Sequence, residues 1–138
     1  MALRERSELV GFDADEACQY LLEAVGDDLL VVAEYTAEEY RLLYVGDGLE
    51  SMYGSSTAVT EAAESIHEYI DLDFRERELF LDLYPTMEDV DGLITVADSR
   101  SVVRVITPHD EGLYFSVPLD VPAVELVRDV VGIVDRSS

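Results

Sequence analysis

The chain has no lysine and no asparagine, and its 138 residues include a single cysteine, Cys18. All nine basic residues are arginine, set against 31 aspartates and glutamates, which gives a formal charge of -22. One cysteine can neither close a disulfide within the chain nor supply a cysteine-based zinc site. Its neighbours Ala17 and Leu21 mark Cys18 as a small buried hydrophobe rather than a nucleophile. Nine dispersed arginines on this background cannot form a phosphate-neutralising stripe, so direct nucleic-acid binding is not expected. With Cys18, the two histidines His67 and His109 make three scattered candidates, too few to converge on a transition metal. No apolar run approaches the roughly 18 residues of a membrane span. The N-terminal MALRERSELVG lacks the apolar run of a signal peptide. A cytoplasmic location, no membrane contact and no cofactor are therefore expected.

What is present is a core. Hydrophobic residues make up 49% of the chain, enough for one domain over residues 1–138, with residues 1–11 expected as a loosely ordered N-terminal arm. A nucleic-acid mimic or a docking device would concentrate its charge on one segment. Here acids occur in every element from Asp13 to Asp135, the pattern expected of halophilic adaptation. At about 1 M salt the Debye length is roughly 3 Å, and self-repulsion is screened. The same abundance empties carboxylate pairs such as Asp27-Asp28, Glu38-Glu39, Asp71/Asp73 and Glu88-Asp89/Asp91 of meaning, because acid–base work needs a cleft and shifted pKa values. The DVDG at 89–92 lacks the ligand spacing of a calcium loop. Gly46-Asp47-Gly48 lacks the lysine of a P-loop, and no serine sits in a G-x-S-x-G elbow. No catalytic residue and no metal ligand is expected.

Asp13 can cap a first helix, with Glu16 three residues on and Phe12 as an apolar staple. Ala17, Leu21 and Ala24, beside Leu22 and Val25, form its stripe, and Gly26 ends it. LLVVAEY-TAEE-YRLLYVG reads as a hairpin. A four-residue loop Thr36–Glu39 pairs Tyr35 with Tyr40, Glu34 with Arg41, Ala33 with Leu42, Val32 with Leu43 and Val31 with Tyr44. One face then holds Leu30, Val32, Leu43 and Val45; the other holds Val31, Ala33, Tyr35, Tyr40, Leu42 and Tyr44. Both faces are apolar, so the hairpin must be covered on two sides. A helical turn at Leu49–Tyr53 follows. Ser56 or Thr57 then opens a helix carrying Val59, Ala62, Ala63, Ile66 and Ile70. DLDFRERELFLDLYP admits helix or strand; a short helix through Phe74, Phe80 and Leu83, ended by Pro85, is preferred. Leu93 to Val117 reads as a three-stranded meander. Its turns pair Val96 with Val103, Ile94 with Val105, Val105 with Phe115 and Val103 with Val117, leaving Thr95, Arg104 and Ser116 in a row on the far face. A last helix opens at Asp120–Pro122 and carries Val124, Val127, Val130, Val131 and Val134.

The expected architecture is α+β: a single two-layer sandwich on an antiparallel five-stranded sheet, in αββα(α)βββα order. This order resembles that of the roadblock-like and profilin-like sandwiches. The Lys-free composition, the passage YRLLYVGDGLESMYGSS and the run GLITVADSRSVVRVITPHDEGLYFSVPLDV also resemble a family of small acidic haloarchaeal proteins catalogued as a domain of unknown function. That resemblance spans roughly residues 28–134. It implies kinship and brings no catalytic residues with it.

A face bearing Val31, Ala33, Tyr35, Tyr40, Leu42 and Tyr44 is too large to leave wet in an acidic protein. The chain's own helices, a second copy or a ligand could cover it. Tyr35, Tyr40, Leu42 and Tyr44 are the candidate interface residues for a second copy about a two-fold axis, and replacing Tyr40 and Tyr44 with Asp should then give a folded monomer. The expected function is a non-enzymatic interaction or regulatory domain, acting as a homodimer or as an adaptor for a protein partner. The alternative is a small-molecule sensor with an apolar Tyr/Phe-lined pocket. A third is an enzyme whose acidic site the background hides. The charge itself yields a first prediction: the thermal midpoint should rise strongly from low salt to molar KCl, because unscreened carboxylates repel one another in the folded chain. A midpoint that ignores salt would remove the halophilic reading.

Overall fold

Alternation of apolar and polar side chains sets the strands, and tight turns join them in antiparallel pairs. The computed structural model describes residues 3–47, 57, 61 and 71–137. Its strands are β1 (Leu3–Arg4), β2 (Val31–Thr36), β3 (Tyr40–Val45), β4 (Gly92–Val96), β5 (Arg100–Ile106) and β6 (Glu111–Pro118). Its helices are α1 (Ala14–Val25), α2 (Asp71–Leu83) and α3 (Ala123–Ser137). The sheet order is β1-β3-β2-β6-β5-β4, with every described pairing antiparallel. The five expected strands are present, and β1 adds two residues at one edge. The architecture is α+β, as the element order implies. The expected helical turn at 49–53 and the helix from 56 or 57 lie outside the described residues, apart from Thr57 and Glu61, which are helical.

The first helix is specified locally. Asp13 accepts a hydrogen bond from the Glu16 backbone N–H at 2.9 Å, and Gly26 takes φ 74° at the other end, where a side chain would be strained. Helices α1 and α3 pack on one sheet face over Val32, Leu43, Val103, Val105, Leu113, Phe115 and Val117. Cys18 lies in this core, and burial pushes its thiol up to about 11, so it packs as an apolar group rather than as a thiolate. Helix α2 covers the other face with Phe74 against Tyr35 and Ile106, with Leu93 and Tyr114 beside them. Pro85 follows α2, as expected.

Two register expectations change. Ile94 pairs with Val103 and Val105 with Leu113, each two residues from the expected match. Both turns are tighter than the sequence suggested. Ala97 donates to the Arg100 carbonyl at 2.8 Å around Asp98-Ser99, and Thr107 donates to the Glu111 carbonyl at 2.9 Å around a loop in which Asp110 takes φ 56°. Tighter turns retain more ladder hydrogen bonds. Because a shift of two preserves which face a side chain takes, Val103, Val105, Phe115 and Val117 still enter the core. Arg104 reaches Thr95 diagonally rather than across. In the first hairpin, Tyr35–Tyr40, Glu34–Arg41 and Ala33–Leu42 pair as expected. A bulge then intervenes, so Val32 faces Tyr44 and Val31 faces Val45.

Residues 3–10, expected as a loose arm, are instead bound to the sheet. Leu3 and Arg4 pair with Val45 and Tyr44, and the Glu5 N–H donates to the Leu43 carbonyl. The cause is Glu34, fully buried on an inward position of β2. Its carboxylate accepts from the Ser7 hydroxyl at 2.8 Å and from the backbone N–H groups of Glu8, Leu9 and Val10 at 2.9, 3.1 and 3.2 Å. Arg41 adds charge compensation, lying 3.9 Å from Glu34 and within 3.7 Å of Glu5 and 3.5 Å of Glu8, and it donates to the Arg6 carbonyl. A buried carboxylate needs such donors, so the arm must stay. Glu34→Ala strands four donors and should cost roughly 3 kcal/mol in a urea denaturation series, against about 2 kcal/mol for the core truncation Val105→Ala. A near-neutral Glu34→Ala would mean that the arm is not held by this carboxylate.

Candidate interaction surface

The tyrosine stripe divides between the two faces of the sheet. Tyr35 is 1% exposed within the single chain. Its ring lies 5.6 Å from that of Phe74, over Gly112, where an added Cβ would come within 2.5 Å of the Tyr35 ring. Gly112 thus makes room for the ring. Tyr40 sits half-buried against the same cluster, and Leu42 is half-buried beside it in β3. Tyr44 does not share their face. The bulge between Val32 and Ala33 turns it towards the α1 side, where it packs on the main core. The expectation of one continuous strip over Tyr35, Tyr40, Leu42 and Tyr44 is thereby corrected. Tyr35 is already covered by α2, and an inserted residue reverses Tyr44.

Under α2 the sheet carries a polar clamp. Asp73, in the first turn of α2, accepts from the Tyr35 hydroxyl at 2.8 Å and lies 3.4 Å from Arg104 Nε. Arg104 also donates to Thr95 Oγ1 at 2.7 Å and to the Val102 carbonyl at 3.1 Å. Burial first, and then the Asp73 charge and hydrogen bond, hold the Tyr35 phenol far above its ordinary range. Farther along, Arg77 makes a two-nitrogen contact with Asp89 at 2.8 and 2.9 Å, pinning α2 to the segment before β4. Among the many carboxylates the sequence does not single out Asp73, and it places Glu34 only as the cross-strand partner of Arg41. The available signal for Glu34 was its parity: it shares the core face with Val32.

The outer side of α2 exposes leucines among the charged residues Arg75, Glu76, Glu78 and Asp82. Leu72, Leu79 and Leu83, at spacings of seven and eleven residues from Leu72, line one direction of the helix, with Phe80 flanking them. Leu79 is 62% exposed and Leu83 74%, and Tyr84 and Met87 continue the exposed surface. The strand β4, whose Leu93 packs in the Phe74 cluster under α2, is an edge strand that pairs only with β5 among the described residues. Its sequence GLITV carries no charge, and Val96 is 71% exposed. Natural edges are usually guarded by charge, proline or a covering segment.

Two clefts are lined by described residues. One of about 220 Å³ lies between Phe12, Val105 and Val134 and the carboxylates Asp89, Glu111 and Asp135. The other, a groove of about 490 Å³ between α1 and α3, carries Tyr20, Arg128 and Gly132. Each contains one Tyr or Phe ring, so neither is the apolar Tyr/Phe-lined pocket of the sensor reading. His109 is exposed at the rim of the first, and His67 lies outside the described residues. Among the described residues, no three His, Cys, Asp or Glu side chains are placed to hold a metal, and no helix is long and apolar enough to cross a membrane.

The profile of the family described as Domain of unknown function (DUF7522) matches residues 15–136. Comparison with curated proteins gives no match. Among solved structures, the Roadblock/LC7 domain from Streptomyces avermitilis superposes with a TM-score of 0.61 at 11% identity, covering 88% of this chain and 92% of that one. The gliding protein MglB from Thermus thermophilus gives a TM-score of 0.50 at 11% identity, over 96% of this chain and 98% of that one. The fold is roadblock-like.

The buried phenols give this surface a spectroscopic handle. Tyr20, half-buried and donating to Asp129, is pushed up to about 12, by burial first and then by that hydrogen bond. Burial and the Asp47 and Asp27 carboxylates raise Tyr44 as well. A phenol whose folded pKa is raised adds stability that is complete below the unfolded value near 10 and is lost as pH rises through the folded value. In an alkaline absorbance titration, some of the eight tyrosines should therefore ionise only with unfolding. Tyr35→Phe should remove one phenol from that late class. A loss from the early class would contradict its burial under α2.

Proposed function

Because the chain belongs to the DUF7522 family and carries a roadblock-like fold, we propose that it is a non-catalytic interaction domain that works as a homodimer and presents that dimer to a protein partner. The observation that carries the reading is the uncharged open edge β4 together with the exposed leucines of α2, the helix whose Phe74 shares a cluster with Leu93 of β4. A second copy is the occupant that fits. Antiparallel pairing of β4 with β4 about a two-fold axis is self-complementary and closed, and it brings the two α2 stripes together over the joined sheet. The opposite edge is unsuitable, because β1 and the Glu34-bound arm already occupy it. Tyr40 and Leu42 lie four strands from β4 and take no part in this contact. The dispersed acidity supports a cytoplasm of high salt, in which copies carrying -22 each can meet without long-range repulsion. A regulatory or adaptor role follows from a surface that offers shape and apolar contact without a catalytic constellation.

Light scattering in molar KCl tests this directly. The wild-type chain should run as a dimer at micromolar concentration. Leu79→Asp with Leu83→Asp should give a folded monomer of unchanged circular dichroism, because two carboxylates cannot be buried in an apolar contact. A wild-type chain that is monomeric at high micromolar concentration, or a double variant that remains dimeric, would remove β4 and α2 as the dimer surface.

A further inference from the structure

Helix α2 is held on the sheet by little apolar contact. Phe74 is its one buried side chain among the described residues, and its long apolar stripe faces away. Something else must fix where that stripe points. Asp73 is placed to do so, because one of its oxygens meets both the Tyr35 hydroxyl of β2, at 2.8 Å, and Arg104 Nε of β5, at 3.4 Å. The second arm of the same guanidinium donates to Thr95 Oγ1 at 2.7 Å, and Thr95 belongs to the edge strand β4. A continuous polar path thus runs from the first turn of α2 through β5 to the sheet edge. The side chains of Arg104 and Asp73 are 16% and 14% exposed, so salt screens this pair far less than a surface pair. Arginine suits the role: its planar fork can bind a carboxylate with one nitrogen and a hydroxyl with another, which a lysine ammonium cannot do in the same fixed geometry.

We infer that Asp73 is a positioning residue that couples the α2 stripe to the β4 edge through Arg104 and Thr95, so that the two halves of the self-association surface are set as one unit. The inference rests on the homodimer reading for its functional meaning. The coupling itself is a property of the single chain and can be measured there.

Two measurements test it. In molar KCl, Asp73→Asn and Thr95→Val should each weaken self-association by roughly tenfold, and the double variant should be no weaker than Asp73→Asn alone, because a broken path cannot be broken again. Effects that multiply to roughly a hundredfold would mean independent contacts and would overturn the coupling. The second measurement is backbone hydrogen exchange, at dilutions where the chain is monomeric. Asp73→Asn should speed exchange in α2 and in β4 together, leaving β2 and β6 unchanged, whereas Thr95→Val should speed β4 alone. Faster exchange confined to α2 in Asp73→Asn would reduce Asp73 to a local anchor and sink the proposal. If Asp73→Asn does not fold, Arg104→Lys replaces it: it retains the charge opposite Asp73 and gives up the fork, and it should reproduce Thr95→Val in both measurements. A wild-type chain that does not self-associate would remove the homodimer reading while the exchange pattern still decides the coupling.

Discussion

From Val31 to Tyr35, β2 is buried on both faces without a break, and the strands beside it must share that condition. A sheet of this kind cannot be covered from one side. Helices α1 and α3 cover one face with a conventional apolar core in which α3 contributes Leu126, Val130 and Ile133. The other face receives α2, whose sequence DLDFRERELFLDL sends only Phe74 fully inward. Among the described residues that cover is held largely by polar contacts, Asp73 with Arg104 and Arg77 with Asp89, while Leu72, Leu79 and Leu83 of α2 are exposed. An exposed leucine stripe on so acidic a chain thus follows from how the second face is covered.

Of the 31 acids, Glu34 and Asp73 tie other segments to the sheet from buried or nearly buried positions, and both act by accepting from donors that would otherwise be stranded. Glu34 gathers three backbone N–H groups and a hydroxyl from the N-terminal arm. Asp73 gathers a phenol and a guanidinium under α2. Neither is distinguished by residue type, and in a chain this acidic residue type carries almost no information. What separates them is position: Glu34 is turned towards the arm and Asp73 towards the sheet, and neither towards water. Burial makes each contact stronger and its loss more costly than for the surface acids around them.

The same logic explains what could be read from the sequence. Capping at Asp13 and termination at Gly26 depend on neighbouring residues alone, and both hold. Side-chain parity in β5 and β6 survived two misjudged turns, because the errors were even and an even shift leaves the core face intact. Tyr44 had no such protection. The bulge beside Ala33 adds one residue, an odd shift, and reverses every side chain beyond it. Nothing in YRLLYV announces that insertion. It coincides with contacts from outside the hairpin, where β1 and the Glu5 N–H engage the far side of β3. The arm was misread for a related reason: its anchor, Glu34, is 24 or more residues away in sequence.

On the proposed homodimer reading, the two edges of the sheet restrict how copies would associate. Had both β3 and β4 been open, the β3 edge of one copy could pair with the β4 edge of the next, and such head-to-tail pairing need not close. The arm prevents this by occupying β3, and Glu34 holds the arm with more hydrogen bonds than the two-residue β1 could make for itself. Among the described strands β4 is then the one edge strand longer than two residues, and an edge that pairs with its own copy about a two-fold axis stops at two. On the proposed dimer, the buried carboxylate at one end of the sheet therefore limits what assembles at the other. Salt completes the constraint: at low ionic strength the charge of each copy opposes even this contact, whereas in molar salt the short-range fit of β4 and α2 decides it.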